Sequence, residues 1–204
     1  MNSKLHTSSE SSTFREMKAE IDRLRATVAE QTAEISRLGQ LAETDSLTGL
    51  ANRRAFDKHL QQRMAQHQRD GQRFCLMIID IDQFKSINDQ FGHLMGDRLL
   101  QQIAGDLTRN VRQADIVFRV GGDEFAIILP ATDSAQATHL AKRIVDQVVE
   151  NIRDEFDCLS IGLSIGLANS NIEWTKDQLV ELTDKAMFQS KRHGGNRYHI
   201  VDRK

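Results

Sequence analysis

Asp123 and Glu124 stand side by side behind two glycines, in the stretch Arg119-Val-Gly-Gly-Asp-Glu-Phe125. Apolar runs flank the stretch, Ile116 to Val120 and Phe125 to Leu129. Adjacent carboxylates repel, so packing alone gives no reason to keep both. A divalent cation removes the conflict, and hard oxygen ligands suit magnesium. A second acidic pair, Asp80 and Asp82, ends the apolar run Phe74 to Ile81. A period of two turns both to one side of a strand. A carboxylate at a buried strand end is costly unless it is paired or binds metal. Lys85 adds a mobile cation, and Asn88 with Asp97 can read a base edge, because a carboxylate accepts from ring N–H and amine groups. Together these groups suit phosphoryl transfer with two metals, which activate the attacking oxygen and steady the leaving phosphate. A polar hairpin tip and a strand running out into solvent are the plainer alternatives, each accounting for one cluster.

The elements that must hold these groups follow from periodicity. The runs around Gly121-Gly122 read as two strands, with the glycines as a two-residue turn at positive φ. Asp123 and Glu124 then lie at the hairpin mouth, outside the packed sheet. Phe74 to Ile81 suits a central strand covered on both faces. Upstream, Gly49 marks a turn and Asn52 caps a helix that buries Phe56, Leu60 and Met64 and closes at Asp70-Gly71. The segment from Phe84 to Asp97 is polar and broken by Gly92 and Gly96. A helix from Asp97 to Val111 follows, its N-terminal N–H groups near Gly96-Asp97 available to an anion. Asp133 starts another helix, Leu159 to Ala168 reads as a strand, and Thr175 to Lys191 as the last helix. Gly194-Gly195 ends that helix, and Tyr198 to Val201 adds a final strand. The expected fold is α/β (α+β), a mixed central sheet flanked by helices.

The N-terminal part is different. Met1 to Thr13 is rich in serine and threonine and is expected to be a disordered tail. Phe14, Ile21, Val28 and Ile35 then fall at heptad position a, with Met17, Leu24, Gln31 and Leu38 at d. That narrow stripe predicts a parallel, two-stranded coiled coil over 14–43, joining two copies of the domain at 44–204. Gln31 in the seam helps fix register, and Glu20 and Arg25 can pair between helices.

Composition narrows the partners. With 27 basic and 29 acidic residues the net charge is −2, and no basic block argues for nucleic acid. No apolar run is long enough for a membrane segment and no signal peptide is seen, so a soluble, cytoplasmic protein is expected. Cys75 and Cys158 read as small buried hydrophobes, with no disulfide framework.

From 45 to about 203 the chain resembles the GGDEF diguanylate cyclase family. The matching segments are Asp45-Ser-Leu-Thr-Gly-Leu-Ala-Asn-Arg-Arg, Asp80-Ile-Asp-Gln-Phe-Lys through Gly96-Asp97, Arg119 to Phe125, Ser164-Ile-Gly-Leu, and Lys191 with Gly194-Gly-Asn196. The resemblance implies a nucleotidyl-cyclase-like palm that condenses two GTP into cyclic di-GMP with release of pyrophosphate. It implies a homodimer with one GTP per subunit and two Mg²⁺ in each half-site, Mn²⁺ being an alternative. Asp80, the Ile81 carbonyl, Asp123 and Glu124 resemble the metal ligands, and Asp123 also the group that helps deprotonate the 3′-hydroxyl. Lys85 resembles the transition-state stabiliser. Phe84, Asn88 and Asp97 resemble guanine-site residues, and Lys191 the late phosphate anchor. Arg112-Gln-Ala-Asp115 sits at the family's spacing for a product-inhibition site, with Arg143 as its accessory arginine. The chain departs from many members at Phe188, Ser190 and Gly195. The last lacks a basic side chain that nearby Arg197 can replace. Two other readings are a silent cyclic di-GMP receptor using Arg112 and Asp115, and a dimerising stalk with a partner-binding head.

Overall fold

The computed structural model describes residues 17–18, 20–32, 34, 43–156 and 161–201. The chain forms two compact units, Met1–Ala42 and Glu43–Lys204. The described part of the first unit is helical. Its heptad residues Met17, Ile21, Leu24 and Val28 are 57%, 43%, 54% and 60% exposed. Phe14, Ile35 and Leu38, the expected tail and Cys158 lie outside the described residues.

The second unit is built on a six-stranded mixed sheet. Its strands are β1 (Ala51–Asn52), β2 (Phe74–Ile81), β3 (Ile116–Arg119), β4 (Glu124–Pro130), β5 (Leu163–Asn169) and β6 (Arg197–Val201). The spatial order is β1-β3-β4-β2-β5-β6. β1 pairs with β3 and β5 with β6 in parallel, and the other neighbours are antiparallel. The helices are α1 (Arg53–Asp70), α2 (Phe84–Phe91), α3 (His93–Asn110), α4 (Ser134–Glu155) and α5 (Lys176–Arg192).

Central β2 is buried along its whole length, and its period of two divides the core. Cys75, Met77, Ile79 and Ile81 join the cluster formed with α3 and α4. Leu76 and Ile78 join the cluster formed with α1 and α5. Asp80 shares the parity of Leu76 and Ile78, so the fold delivers it to the α1/α5 face. Cap chemistry fixes the helix starts. Asn52 accepts from the Ala55 N–H, and Asp133 and Thr175 each complete a capping box.

Three expectations are corrected. The glycine-broken segment expected to lead to a helix at Asp97 is itself helical, since α2 occupies Phe84–Phe91 and α3 already begins at His93. Gly92 separates two helices, and Gly96 and Asp97 lie inside the first turns of α3 rather than at its start. The β3–β4 connection is also longer than two residues, running from Val120 to Asp123. Neither Gly121 nor Gly122 has positive φ. Gly121 is required for space, since a Cβ there would stand 2.7 Å from Glu124 Oε2. Farther on, β5 begins at Leu163, later than the expected Leu159.

Candidate active site

The sheet brings the two acidic clusters together. Asp80 on β2 stands directly opposite Glu124 on antiparallel β4. Directly opposed residues project on the same face, with Cβ atoms roughly 5 Å apart. Glu124 is therefore the first residue of interior strand β4 and does not hang outside the sheet as expected, whereas Asp123 stays in the loop. The Asp123 carbonyl accepts from the Ile81 N–H at 3.3 Å, tying the loop to the end of β2.

Asp80 is 5% exposed. Burial pushes its carboxyl up to about 6 against the downward pull of Lys191, and the charges of Asp123 and Glu124 push the same way as burial. Lys191, in the last turn of α5, places Nζ 2.7 Å from Asp80 Oδ1. A cation is thus already called for at this carboxylate. Among the described residues no three His, Cys, Asp or Glu side chains gather closely enough to enclose an ion. The groups expected to hold a divalent cation, Asp80, the Ile81 carbonyl, Asp123 and Glu124, all lie at the paired ends of β2 and β4.

Two further carboxylates flank the site. Asp184 lies on α5 seven residues before Lys191, hence on the same helical face. Burial, and then the charge of Glu124, raise its pKa, with Arg53 opposing. Asp82 follows β2 but is not available to a metal. Its Oδ1 accepts from Ser164 Oγ at 2.6 Å and its Oδ2 from the Asn196 N–H at 2.7 Å. Sequence reasoning also passed over Arg119 and Asp45. Arg119 donates to Asp45 Oδ1 at 3.0 Å and to the Gly122 carbonyl at 2.8 Å, bracing the loop that carries Asp123.

On the other side of the sheet end, Lys85 is exposed in the first turn of α2. Asn88 and Phe84 of α2 lean on α3 at Gly96, where a Cβ would meet Asn88 Oδ1 at 2.0 Å and Phe84 Cζ at 3.1 Å. Asn88 therefore lies against the residue that precedes Asp97, its expected partner, in the chain. Asn88 Oδ1 is buried and has no hydrogen-bond partner. One polar face of the Asn88 amide is thus unmatched.

Arg112 and Asp115 form a closed turn away from the acidic pair. The Arg112 N–H donates to Asp115 Oδ2 at 2.9 Å, and the Asp115 N–H to the Arg112 carbonyl at 3.0 Å. They line a cavity of about 480 Å³ together with Arg109 and Arg143. Arg143 is engaged there, with Nε donating to Asn110 Oδ1 at 3.1 Å and a terminal nitrogen to the Asn110 carbonyl at 2.5 Å. Arg109, which sequence reasoning missed, is paired with the buried carboxylate of Asp106.

Residues 42–197 match the family described as diguanylate cyclase, GGDEF domain. The chain belongs to the GGDEF family. It is 39% identical over 163 residues to the diguanylate cyclase DgcP of Pseudomonas aeruginosa, covering 79% of this chain and 24% of that protein. It is 35% identical over 156 residues to the diguanylate cyclase DgcS of Shewanella oneidensis, covering 76% of this chain and 52% of that protein. The chain thus matches only about a quarter to a half of these relatives' length. Among solved structures it is similar to the coiled coil and GGDEF domain of DgcB from Caulobacter crescentus in complex with c-di-GMP. That similarity has a TM-score of 0.76 and 32% identity, and covers 87% of this chain and 99% of that one. The GGDEF frame accounts for the mixed sheet. Among the described residues, no helix is long and apolar enough to cross a membrane.

Proposed function

We propose that this GGDEF protein is a diguanylate cyclase that condenses two GTP into cyclic di-GMP and two pyrophosphates as a homodimer. The observation that carries this reading is the pairing of Asp80 with Glu124 across β2 and β4, with Lys191 seated on Asp80. A receptor that used only Arg112 and Asp115 would leave this pairing without a role. Asp80, the Ile81 carbonyl, Asp123 and Glu124 would hold magnesium, or manganese in its place, as two ions per half-site, which would supply charge neutralisation at the phosphates.

The chain's own groups do the rest. Asn88 and Asp97 accept and donate at the guanine edge beside Phe84. Asp123 takes the proton of the 3′-hydroxyl, whose oxygen attacks the α-phosphorus of the GTP on the other subunit. The bond to the β-phosphate oxygen breaks and pyrophosphate leaves. Lys85 and Lys191 balance the charge that develops on the phosphate oxygens. Two such half-sites face each other, and the reaction repeats in the opposite sense to close the ring. The heptad helix holds the two subunits together. Arg112, Asp115 and Arg143 form a product site that slows the enzyme as cyclic di-GMP accumulates. The basic lining of the 480 Å³ cavity supports this reading.

The test is incubation of the purified chain with GTP and Mg²⁺, beside Glu124→Gln, with mass analysis of products. Cyclic di-GMP from the wild type alone supports the proposal. Relief of product inhibition by Arg112→Ala supports the second site. No product from a verified dimer overturns the cyclase reading and leaves the receptor reading, which the arginine-lined cavity favours.

A further inference from the structure

Asp82 is the acidic residue of the Asp80-Ile-Asp82 run for which the chemistry above has no use. Its two oxygens join three separate parts of the chain. Oδ1 accepts from the fully buried Ser164 of β5, and Oδ2 accepts from the Asn196 N–H in the turn between α5 and β6. Its own N–H donates to the Gly162 carbonyl at 2.9 Å.

The turn it grips is shaped around it. Asn196 has φ of 48°, a left-handed conformation unusual for a side-chain-bearing residue, and the bond to Asp82 helps hold it there. Gly195 has φ of 69°, and a Cβ at that position would lie 2.4 Å from Asp82 Oδ2. A Cβ at Gly162 would lie 2.6 Å from the same oxygen. Two glycines thus open the space the carboxylate fills. This explains the departure at Gly195, because here a basic side chain would displace Asp82.

The grip continues to the phosphate end of the site. The Gly195 N–H donates to the Ser190 carbonyl and the Gly194 N–H to the Lys191 carbonyl, both at 3.1 Å. Ser190 Oγ donates to the Ile165 carbonyl at 2.8 Å. Every bond on the path from Asp82 to the backbone of Lys191 is therefore made, and Lys191 reaches back to Asp80, two residues from Asp82 on the same face. We propose that Asp82 is a positioning residue: it clamps the 194–196 turn to the end of β2 and so sets the reach of Lys191 toward Asp80 and the substrate phosphates. The inference rests on the cyclase reading for the identity of the substrate. It extends that reading to a residue that touches neither substrate nor metal.

The decisive experiment is a double-mutant cycle on GTP affinity, crossing Asp82→Asn with Lys191→Met. An amide can keep both partners only as neutral bonds, its oxygen accepting from the Asn196 N–H and its NH₂ donating to a rotated Ser164 hydroxyl, so the charge assistance of the carboxylate is lost. The loss of one charge-assisted bond predicts about tenfold weaker GTP binding in the Lys191 background, with a matching rise in KM and little change in kcat. In the Lys191→Met background the same change should cost less than about twofold, which a merely structural role would not produce. Gly195→Ala pushes on the clamp from the other side and should give the same pattern, and it carries the test if Asp82→Asn does not fold. Equal losses in both Lys191 backgrounds, or unchanged affinity in Asp82→Asn and Gly195→Ala, overturn the inference. A wild type that binds GTP without making product sinks the cyclase reading but leaves the cycle measurable. With no GTP binding at all, the clamp is judged by NMR alone. Asp82→Asn must then speed exchange of the Asn196 amide and move the Lys191 ammonium signal, and failure of either rejects it.

Discussion

Lys191 Nζ lies 2.7 Å from Asp80 Oδ1, so the proposed phosphate anchor is bonded to the carboxylate proposed to hold metal. The Lys191 side chain is 37% exposed and that of Asp80 only 6%. The lysine can swing outward, whereas the carboxylate cannot follow. A cation arriving at Asp80 and Glu124 would displace the ammonium, which then faces the phosphates.

That exchange gives Lys191→Met two effects of opposite sign. Without nucleotide, Mg²⁺ should bind more tightly, since no ammonium competes for Asp80. With Ca²⁺ to block turnover, GTP should bind about tenfold more weakly, the value of one lost charge-assisted bond. Calorimetry of each ligand checks both signs, and weakening of both would reject the exchange.

Asp80 also sets a pH dependence. Burial raises its carboxyl from 3.8 to about 6 in the folded chain. A raised acid is harder to ionise folded than unfolded, so its charge costs stability. The cost is absent below the unfolded value of 3.8, grows through about 6, and is complete above it. In magnesium-free buffer Asp80→Asn should therefore melt several degrees higher than wild type at pH 8. The gain should vanish near pH 4, while cyclase activity is lost at every pH. Melting curves across that range test the sign.

Asp45 runs the other way. Burial alone would raise its carboxyl, but the Thr48 hydroxyl and amide and the Arg119 guanidinium together hold it below 3.8. Stability from this group is present above 3.8 and lost as pH falls through the lower folded value. Asp45→Asn should cost about 1–2 kcal/mol at pH 7, a charge-assisted bond's worth, and less at a pH below 3.8. Activity should fall as well, because Arg119 braces the Gly122 carbonyl in the loop before Asp123. Urea titrations at the two pH values give the comparison.

The loop glycines separate space from flexibility. A Cβ at Gly121 would crowd Glu124 Oε2 at 2.7 Å, whereas one at Gly122 meets nothing within 4 Å, and neither residue has positive φ. Gly121→Ala should turn Glu124 away from Asp80 and lower kcat/KM by about a hundredfold, the scale of a misplacement near 1 Å. Gly122→Ala should leave activity within about threefold and both melting points near wild type. Equal losses in the two variants would deny the steric reading.

These cases show what the sequence could carry. Local chemistry was legible: Asn52 and Asp133 start their helices as caps, Phe56, Leu60 and Met64 are buried, and β2 is covered on both faces. The acidic clusters were legible as residue types. Their meeting was expected from their shared chemistry and the family resemblance, not from any local pattern, because Asp80 and Glu124 are joined only by strand pairing. Arg119 with Asp45 and Lys191 with Asp80 are tertiary pairs between distant segments, and no periodicity marks them. Helix α2 was missed because Gly92 reads as a breaker, although Phe84, Ile87 and Phe91 already show a helical stripe. Asp184 had a signal too, one helical face shared with Lys191, but it carries no motif.

The exposed heptad stripe makes the last prediction. Ile21, Leu24 and Val28 stand 43%, 54% and 60% exposed on a helix whose other described residues are also exposed. Isolated helices are marginal in water, and burial of an apolar seam is what stabilises them. A second copy in parallel would bury these side chains at roughly 25 cal/mol per Å². Leu24→Lys with Val28→Lys places like charges at adjacent d and a positions of both helices, so the dimer should dissociate at micromolar concentration. The second unit, with its own core, should keep its melting point. Each subunit would then hold an intact half-site with nothing opposite it. Sedimentation should show monomer, GTP affinity should stay within about threefold, and cyclic di-GMP formation should fall by more than about a hundredfold, in line with the loss of an effective concentration set by the stalk. A monomer that keeps its activity would remove the stalk from the mechanism. A dimer that persists would place the contact elsewhere on the chain.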